Sequence, residues 1–474
     1  MKQFNKERCC GILLPIFSLP SPYGIGTLGK SAYDFIDKLH ESGQSVWQIL
    51  PLGHTGYGNS PYSTYSRIAG NPLFVDLDIL KYDGLISESH FYGLDFGSNS
   101  TRVDYDKVWE AHNRLLRIAF SNSGHLRYEI DQFAKENHDW LFDYSLFMAL
   151  KDHFHSLPVW EWSDKDIIKA TDDAISKYSS LLSEDINYYN FIQYEFFKQW
   201  NNLRNYAHQK GISIMGDLPI YPSLDSADVW SEPYLYDVND LICPINVAGA
   251  PPDPFSETGQ LWGNPVYNWR RHKKQNYYRW TYWIKKLLSM YDILRVDHFR
   301  GFQDYWAIPF GDSTAKNGTW RPGPRKELFE ALGENLPLVA EDLGIITDDV
   351  KELLNTLGFP GMRVAVFADY YNNEHLYVPK NWPVNSVGYS SIHDSSTFIG
   401  EYYSSPERKQ AIDRYFHSSD IGYLSKIYES PANTVITPFA DLLLLGNESR
   451  INTPGTMGPN NWSYRMKPND FTSD

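Results

Sequence analysis

Three cysteines are too few to frame a chain of 474 residues with disulfides, and two of them, Cys9 and Cys10, are adjacent, with Cys243 far away. No Cys/His cluster has the spacing of a zinc site. A reducing cytoplasm is therefore the expected compartment. Positive charge is also scarce: 43 Lys and Arg face 58 Asp and Glu, a net charge of −15. That balance opposes binding to phosphate backbones, and no basic run or aromatic RNA-binding signature offsets it, so nucleic acid is not an expected partner. No apolar run is long enough to span a bilayer, and the mean hydropathy is −0.46, so no membrane association is expected. The charged start, Met1-Lys2-Gln3-Phe4-Asn5-Lys6-Glu7-Arg8, and the prolines Pro15 and Pro20 in the apolar segment behind it do not fit a secretory signal. Internal repeats and low-complexity tracts are missing too.

Aromatic residues are abundant, at 16% of the chain with 34 Tyr and 15 Trp. Their flat apolar faces and polar edges suit flat, hydroxylated partners, sugars above all, although about half of them are expected to fill the core. Short Ile/Leu/Val runs recur at Gly11 to Pro15, Ser45 to Leu52, Gly211 to Pro219, Tyr291 to Asp297, Leu336 to Asp342, Gly361 to Phe367, Gly388 to Asp394 and Asn433 to Pro438. These read as eight buried strands, mostly with helical patterns between them, and the alternation predicts a (β/α)₈ barrel. The whole of 1–474 is read as one catalytic barrel domain. Residues 72–208, with helical spacing over Val108 to Phe120, Trp140 to Lys151 and Tyr188 to Ala207, exceed any ordinary barrel loop and predict an inserted, mainly helical subdomain. Asn246 to Pro265 is so rich in Gly and Pro that neither a helix nor a strand interior is expected there, and it reads as a loop over the mouth. Only 29 residues follow Leu445, so an appended β-sandwich of about 100 residues is not expected at that end.

In such a barrel, chemistry collects at the C-terminal ends of the strands. Arg295 and Asp297, two apart, would project on one face, with the guanidinium holding the Asp297 carboxylate ionised. Glu341 and Asp394, the latter preceded by His393, end two later strands, and Asp217 ends an earlier one. One carboxylate to attack and one to move a proton is what glycoside chemistry requires. The same side chains could hold Mg²⁺ or Ca²⁺, but no EF-hand pattern or two-His site is present, and no metal or cofactor is expected. Gly24-Ile25-Gly26-Thr27-Leu28-Gly29 only partly mimics a dinucleotide fingerprint, and the Pro-rich turn before it breaks the strand-to-helix context.

At this point the chain resembles a known family. Gly11 to Gly29, Trp47 to Tyr62, Gly216 to Tyr221, Gly249 to Pro265, Arg295 to Gly301, Ala340 to Gly344, Gly361 to Val364, His393-Asp394 and Asn452 to Gly455 are together similar, in order, to the 4-α-glucanotransferases (amylomaltases or disproportionating enzymes) of glycoside hydrolase family 77 in the α-amylase clan. The resemblance implies transfer of α-1,4-glucan segments between maltooligosaccharides, with glucose or maltose as acceptor. It implies Asp297 as nucleophile, Glu341 as general acid and base, and Asp394 as the third carboxylate, binding ring hydroxyls. It also implies Arg295, His298 and His393 beside them, Tyr62 and Asp217 lining the donor subsite, Trp262 and Asp253 on the loop over the cleft, and Tyr57 at a secondary glucan site.

The chain departs from the family in one stretch. Members usually continue after the His-Asp pair with Asn-Asp-Thr, where this chain has Ser395-Ser396-Thr397, and the preceding Thr-Gly-Thr is Ser390-Ser391-Ile392. Both changes bear on what supports Asp394. His54 stands where the family generally has proline. An amylase-like hydrolase on the same carboxylates, and a catalytically silent glucan-binding protein, are the alternatives weighed. The missing C-terminal sandwich and the long insert count against the first, and the three retained carboxylates against the second.

Overall fold

The computed structural model describes residues 7–253, 256–417 and 422–471. The charged start up to Lys6, and Pro254 and Phe255 of the glycine- and proline-rich stretch, lie outside that range. Twelve strands follow along the described chain: β1 (Cys9–Leu13), β2 (Val46–Gln48), β3 (Ser213–Leu218), β4 (Asn246–Ala250), β5 (Gln260–Pro265), β6 (Ile293–Val296), β7 (Asp304–Pro309), β8 (Thr319–Pro322), β9 (Leu338–Ala340), β10 (Gly361–Val364), β11 (Ser386–Tyr389) and β12 (Thr434–Pro438). Eight of them close a parallel barrel in the order β1-β12-β11-β10-β9-β6-β3-β2. Each overlaps one of the eight apolar runs; most are shorter than the run, β1 begins two residues before Gly11, and β11 begins at Ser386 and stops at Tyr389.

Alternation along the strands divides the core in two. Leu13, Val46, Met215, Ile293, Val339, Val387 and Ile436 lie on the inward register of the barrel and belong to one cluster. Their neighbours Ile12, Trp47, Ile214, Leu294 and Leu338 belong to the larger cluster beneath the helices. The helix Lys30–Glu41 shows why its sequence coils: Ala32, Phe35, Ile36 and Leu39 make one buried stripe, and Phe35 meets Trp47 edge-on at 5.1 Å.

Between β2 and β3 the chain is helical. Tyr105–Ser121 starts on the side chain of Asp104, which accepts from the Lys107 amide, and buries Val108, Ala111, Leu115 and Ala119. His138–His153 and the 27-residue Ser183–Gln209 follow, and the second of these runs directly into β3. Among the described residues no helix is long and apolar enough to cross a membrane.

One expectation fails in the stretch Asn246 to Pro265. It forms β4 and β5, which join β7 and β8 in an antiparallel sheet of order β5-β4-β7-β8. Glycine enters here because backbones approach closely: a Cβ on Gly249 would lie 2.2 Å from the Gln260 carbonyl, and the register shifts between Val247 and Gly249. The prolines Pro251 and Pro252 fall in the connection and Pro265 at the strand end.

The last described segment closes the molecule over its beginning. The Met466 amide donates to the Ser18 carbonyl and the Val103 amide to the Ser463 carbonyl, while Tyr105 Oη donates to the Trp462 carbonyl at 2.7 Å.

Gly216, next to Asp217, points outward against an aromatic ring: a Cβ there would lie 2.3 Å from Tyr291. Gly216→Ala should therefore overpack this contact and cost about 1–3 kcal/mol, read as a lower urea midpoint. An unchanged midpoint would show that Tyr291 can give way.

Candidate active site

The two-residue period of a strand carries the barrel interior from apolar to charged. In β6, Ile293 lies in the core layer, Arg295 one rung above it, and Asp297 just past the strand end. The partner of Arg295 across the β3 ladder is Asp217, and across the β9 ladder it is Val339; Glu341 follows Val339 two residues on. Arg295 is 2% exposed. Its Nη1 donates to Asp217 Oδ2 at 2.6 Å and to Asp297 Oδ1 at 3.2 Å, its Nη2 lies 3.8 Å from Glu341 Oε2, and its Nε faces Met362 Sδ at 3.4 Å. One planar cation thus meets three carboxylates at fixed angles, which a lysine could not do.

Glu341 is held from its other side by backbone. The His298 amide donates to Oε2 at 2.6 Å and the Leu343 amide to Oε1 at 3.2 Å. The first bond requires His298 to turn into the left-handed region, with φ of 44°, uncommon for a residue with a side chain. The His298 ring stands edge-on to Trp262 at 4.8 Å, and burial, with Arg300 next, lowers its pKa to about 4, so the ring is neutral near pH 7.

Asp394 sits five residues beyond the end of β11, in a turn and not at a strand end. Asn452 Nδ2 donates to its Oδ1 at 2.7 Å, His393 Nε2 lies 3.3 Å from its Oδ2, and Arg450 Nη2 donates to its backbone carbonyl at 2.9 Å. Ser395 bonds only within its own turn, to Ile392 and Ser396. Tyr62 links this group to the barrel floor: its hydroxyl donates to Asp217 Oδ2 at 2.7 Å and lies 3.0 Å from His393 Nε2. The Tyr62 and His393 rings are stacked, and Trp462 packs on both. Burial, with the Asp217 charge next, raises the Tyr62 pKa well above its ordinary value, so its proton stays on.

The three carboxylates differ in proton affinity. For Asp297, burial together with the charges of Asp217 and Asp394 outweighs Arg295 and pushes the pKa up to about 6. Arg295 thus lowers this pKa without bringing it into the ordinary carboxylate range. For Glu341, burial and the Asp297 charge outweigh Arg295 and the two amides, giving about 8. For Asp394, burial works upward, but His393 and Asn452 prevail and pull it down to about 2. The side chains of Asp394, Asp297 and Glu341 are 39%, 25% and 13% exposed, so the group forms the floor of an open mouth.

A cavity of about 1630 Å³ adjoins the mouth. None of the three carboxylates lines it, but Asn452 and Trp262, which touch Asp394 and His298, do. Trp109, Tyr188 and Tyr189 from the helices, Trp462 and Tyr57 complete its walls. Tyr57 is 89% exposed and stands apart from the charged group. Asp253 lies on the connection between β4 and β5, where its Oδ1 accepts from the Ser256 amide at 2.7 Å. Among the described residues no group of three or more His, Cys, Asp or Glu side chains could hold a metal ion.

Residue-by-residue reading did not single out Asn452, Arg450 or Trp462. The first stood at the head of a segment carrying the family resemblance, Asn452 to Gly455, and that was its only signal.

Comparison with known proteins agrees along the whole chain. The model of glycoside hydrolase family 77, described as 4-alpha-glucanotransferase, matches residues 14–471. A 4-alpha-glucanotransferase of Clostridium butyricum is 44% identical over 471 residues, covering 97% of this chain and 96% of that one. One of Thermus thermophilus is 37% identical over 488 residues, covering 98% and 96%. Among solved structures, the amylomaltase from Streptococcus agalactiae in complex with acarbose superposes with a TM-score of 0.95 at 40% identity, covering 98% of this chain and 96% of that one.

Removing the shared cation tests the geometry. Arg295→Met leaves Asp217 and Asp297 without their buried partner and should cost about 3–5 kcal/mol at pH 7. Without the cation, Asp297 and Glu341 hold protons to higher pH, so the native state binds still more protons than the unfolded chain, and the deficit should shrink as pH falls toward 5. A deficit in the urea midpoint that is equal at pH 5 and pH 7 would contradict this account.

Proposed function

The chain belongs to the 4-alpha-glucanotransferases of glycoside hydrolase family 77, and we propose that it moves glucan segments by a retaining double displacement on Asp297 and Glu341. Its activity is transfer of a segment of an α-1,4-glucan to an acceptor glucan. The observation that carries the mechanism is the shared guanidinium of Arg295, around which two neighbouring carboxylates have different proton affinities. At pH 7 Asp297 is mainly ionised and Glu341 mainly protonated, which is the starting state the first step needs.

Asp297 attacks the anomeric carbon while the glycosidic oxygen takes the Glu341 proton, giving a glycosyl ester and a freed leaving sugar. Esterification removes the negative charge of Asp297. One of the causes that keeps Glu341 protonated disappears with it, so the carboxylate stays ionised to accept the acceptor's 4-hydroxyl proton as that oxygen attacks the ester. Asp394 and His393 bond ring hydroxyls, and Tyr62 and Asp217 shape the donor side. Trp262 covers the glycosyl enzyme, and the helices between β2 and β3 wall the cleft, with Tyr57 and Asp253 meeting glucan farther out. Glucose and maltose are the acceptors in this reading. The cytoplasm is its compartment, supported by the unpaired Cys9, Cys10 and Cys243; recovery from the soluble cell fraction checks that point.

Transfer must outrun water at about 55 M, so an acceptor at ~1 mM needs roughly a 10⁵-fold preference, within reach of oriented binding. Maltotriose should yield glucose and a ladder of longer maltooligosaccharides with almost no gain in reducing ends, and Trp262→Ala should raise the ratio of hydrolysis to transfer. Reducing ends rising in step with substrate loss would identify a hydrolase instead.

The pH dependence follows from the two carboxylates. Activity requires Asp297 deprotonated and Glu341 protonated, so kcat/KM should fall below about pH 6 and above about pH 8. Glu341→Gln should lose roughly 10²–10⁴-fold on maltooligosaccharides, lose the alkaline limb, and be much less impaired in forming the glycosyl enzyme from a glucosyl fluoride. An alkaline limb surviving in Glu341→Gln would assign the acid elsewhere.

A further inference from the structure

Asp394 is the one carboxylate of the three that no strand holds. It rides on the loop 390–398, which leaves β11 and enters the helix Phe398–Tyr402. Both ends of that loop are tied to a single buried side chain from the next barrel unit. Asp441 lies just past β12 and is fully buried. Its Oδ2 accepts from the hydroxyls of Ser390 and Ser391, each at 2.6 Å, and its Oδ1 accepts from the Phe398 amide at 2.8 Å. No salt-bridge cation reaches it among the described residues. A buried carboxylate with three donors and no counter-ion is costly to keep merely as a fastener.

We propose that Asp441 is a positioning residue for the transfer reaction, acting through Ser390, Ser391 and the Phe398 amide to fix where Asp394 stands. The geometry favours this over simple packing because the two bonded ends, 390–391 and 398, bracket His393 and Asp394. Asn452 and Arg450 on Asp394, and Tyr62 with Trp462 on His393, act on the pair itself; at the loop's ends the Val366 amide also donates to the Ser390 carbonyl at 3.1 Å and Asn447 Oδ1 accepts from the Thr397 amide at 3.2 Å, but only Asp441 bonds both ends. The serines at 390 and 391 are also where this chain departs from its family. The inference rests on the reading of Asp394 as the substrate-binding carboxylate.

The consequence reaches Asp297. Its protonation is set by burial and by the groups facing it, Arg295, Asp217, Asp394 and His393, with Glu341 sharing the same guanidinium. If the loop shifts, Asp394 leaves together with His393 beside it; Asp394 raises the Asp297 pKa by more than His393 lowers it, so the acid limb of kcat/KM moves to lower pH.

The test compares Asp441→Ala with Asp441→Asn on maltotriose. The amide can accept from Phe398 through its oxygen and donate to the serine hydroxyls through its nitrogen, so it should restore what alanine loses. Asp441→Ala should lower kcat/KM by roughly ten- to a hundredfold, as sub-ångström to ångström misplacement does, and shift the acid limb downward, while Asp441→Asn stays within about threefold of native with its limb near the native position. Asp292→Ala, a deletion of comparable type at the opposite end of the barrel, controls for lost stability and should leave the limb in place. If Asp441→Ala does not fold, Ser391→Ala is read instead, with a smaller loss and the same direction of shift. A folded Asp441→Ala or, in its place, Ser391→Ala whose acid limb stays native overturns the proposal, as does native activity in Asp441→Ala. Failure of the transfer reading is separate: it appears in the native enzyme's own products, before any variant is made.

Discussion

A buried guanidinium with three carboxylates around it is a demanding object, because every charge removed from water must find a partner in a fixed direction. Arg295 meets that demand at the floor of the barrel mouth, bonding Asp217 and Asp297 and facing Glu341. Its neighbours on β3 and β9 are positioned by the parallel ladder itself. The charged layer is therefore an extension of the hydrophobic core: Met215 and Ile293 fix the rung below Asp217 and Arg295, Val339 stands beside Arg295 and below Glu341, and strand period carries their order upward. Proton affinities then follow from position. Two carboxylates of the same chemical kind are driven apart by burial and by each other, while the two backbone amides on Glu341 work against the separation.

The rest of the mouth is assembled from loops that the barrel does not dictate. His298 takes up a left-handed backbone to aim its amide at Glu341, and Trp262 arrives at the edge of a separate sheet to stand against the His298 ring. Tyr62 reaches across from the loop after β2 and joins Asp217 to His393. These contacts join the C-terminal ends of β6 and β9, and of β2, β3 and β11. That cross-bracing explains why a loop-borne carboxylate such as Asp394 can be held at a low pKa while 39% of its side chain faces solvent.

What was legible in the sequence follows the same division. The eight barrel strands could be read because each is a short apolar run cut off by polar residues, and Arg295, Asp297 and Glu341 could be aligned because strand period is local. Asp217 was legible for the same reason. Asp394 was found but assigned to a strand end, since nothing local marks where β11 stops and a turn begins. The β4 and β5 pair was missed because Gly and Pro argue against strands unless one knows that another backbone passes within contact of Gly249. The support from Asn452, Arg450 and Asp441 had no local signal, because each works at a sequence distance of about fifty residues. The influence of Arg295 on Asp297 was legible, but not that burial and the charges of Asp217 on β3 and Asp394 on the 390–398 loop outweigh it and push the pKa up to about 6.

The fastening of residues 452–466 over the start of the chain carries a consequence for biosynthesis. As the polypeptide emerges from the ribosome, Asp217, Arg295 with Asp297, and Glu341 appear in turn, and the barrel strands that bear them can pair as they come. The seat of Asp394 cannot be finished until Asn452 arrives, and the cavity wall not until Trp462 meets Tyr105 and Met466 meets Ser18. These are contacts of very long sequence separation, the slowest kind to form. A nascent chain therefore carries its reactive carboxylates well before it can hold a sugar against them, and competence waits for residues 452–466.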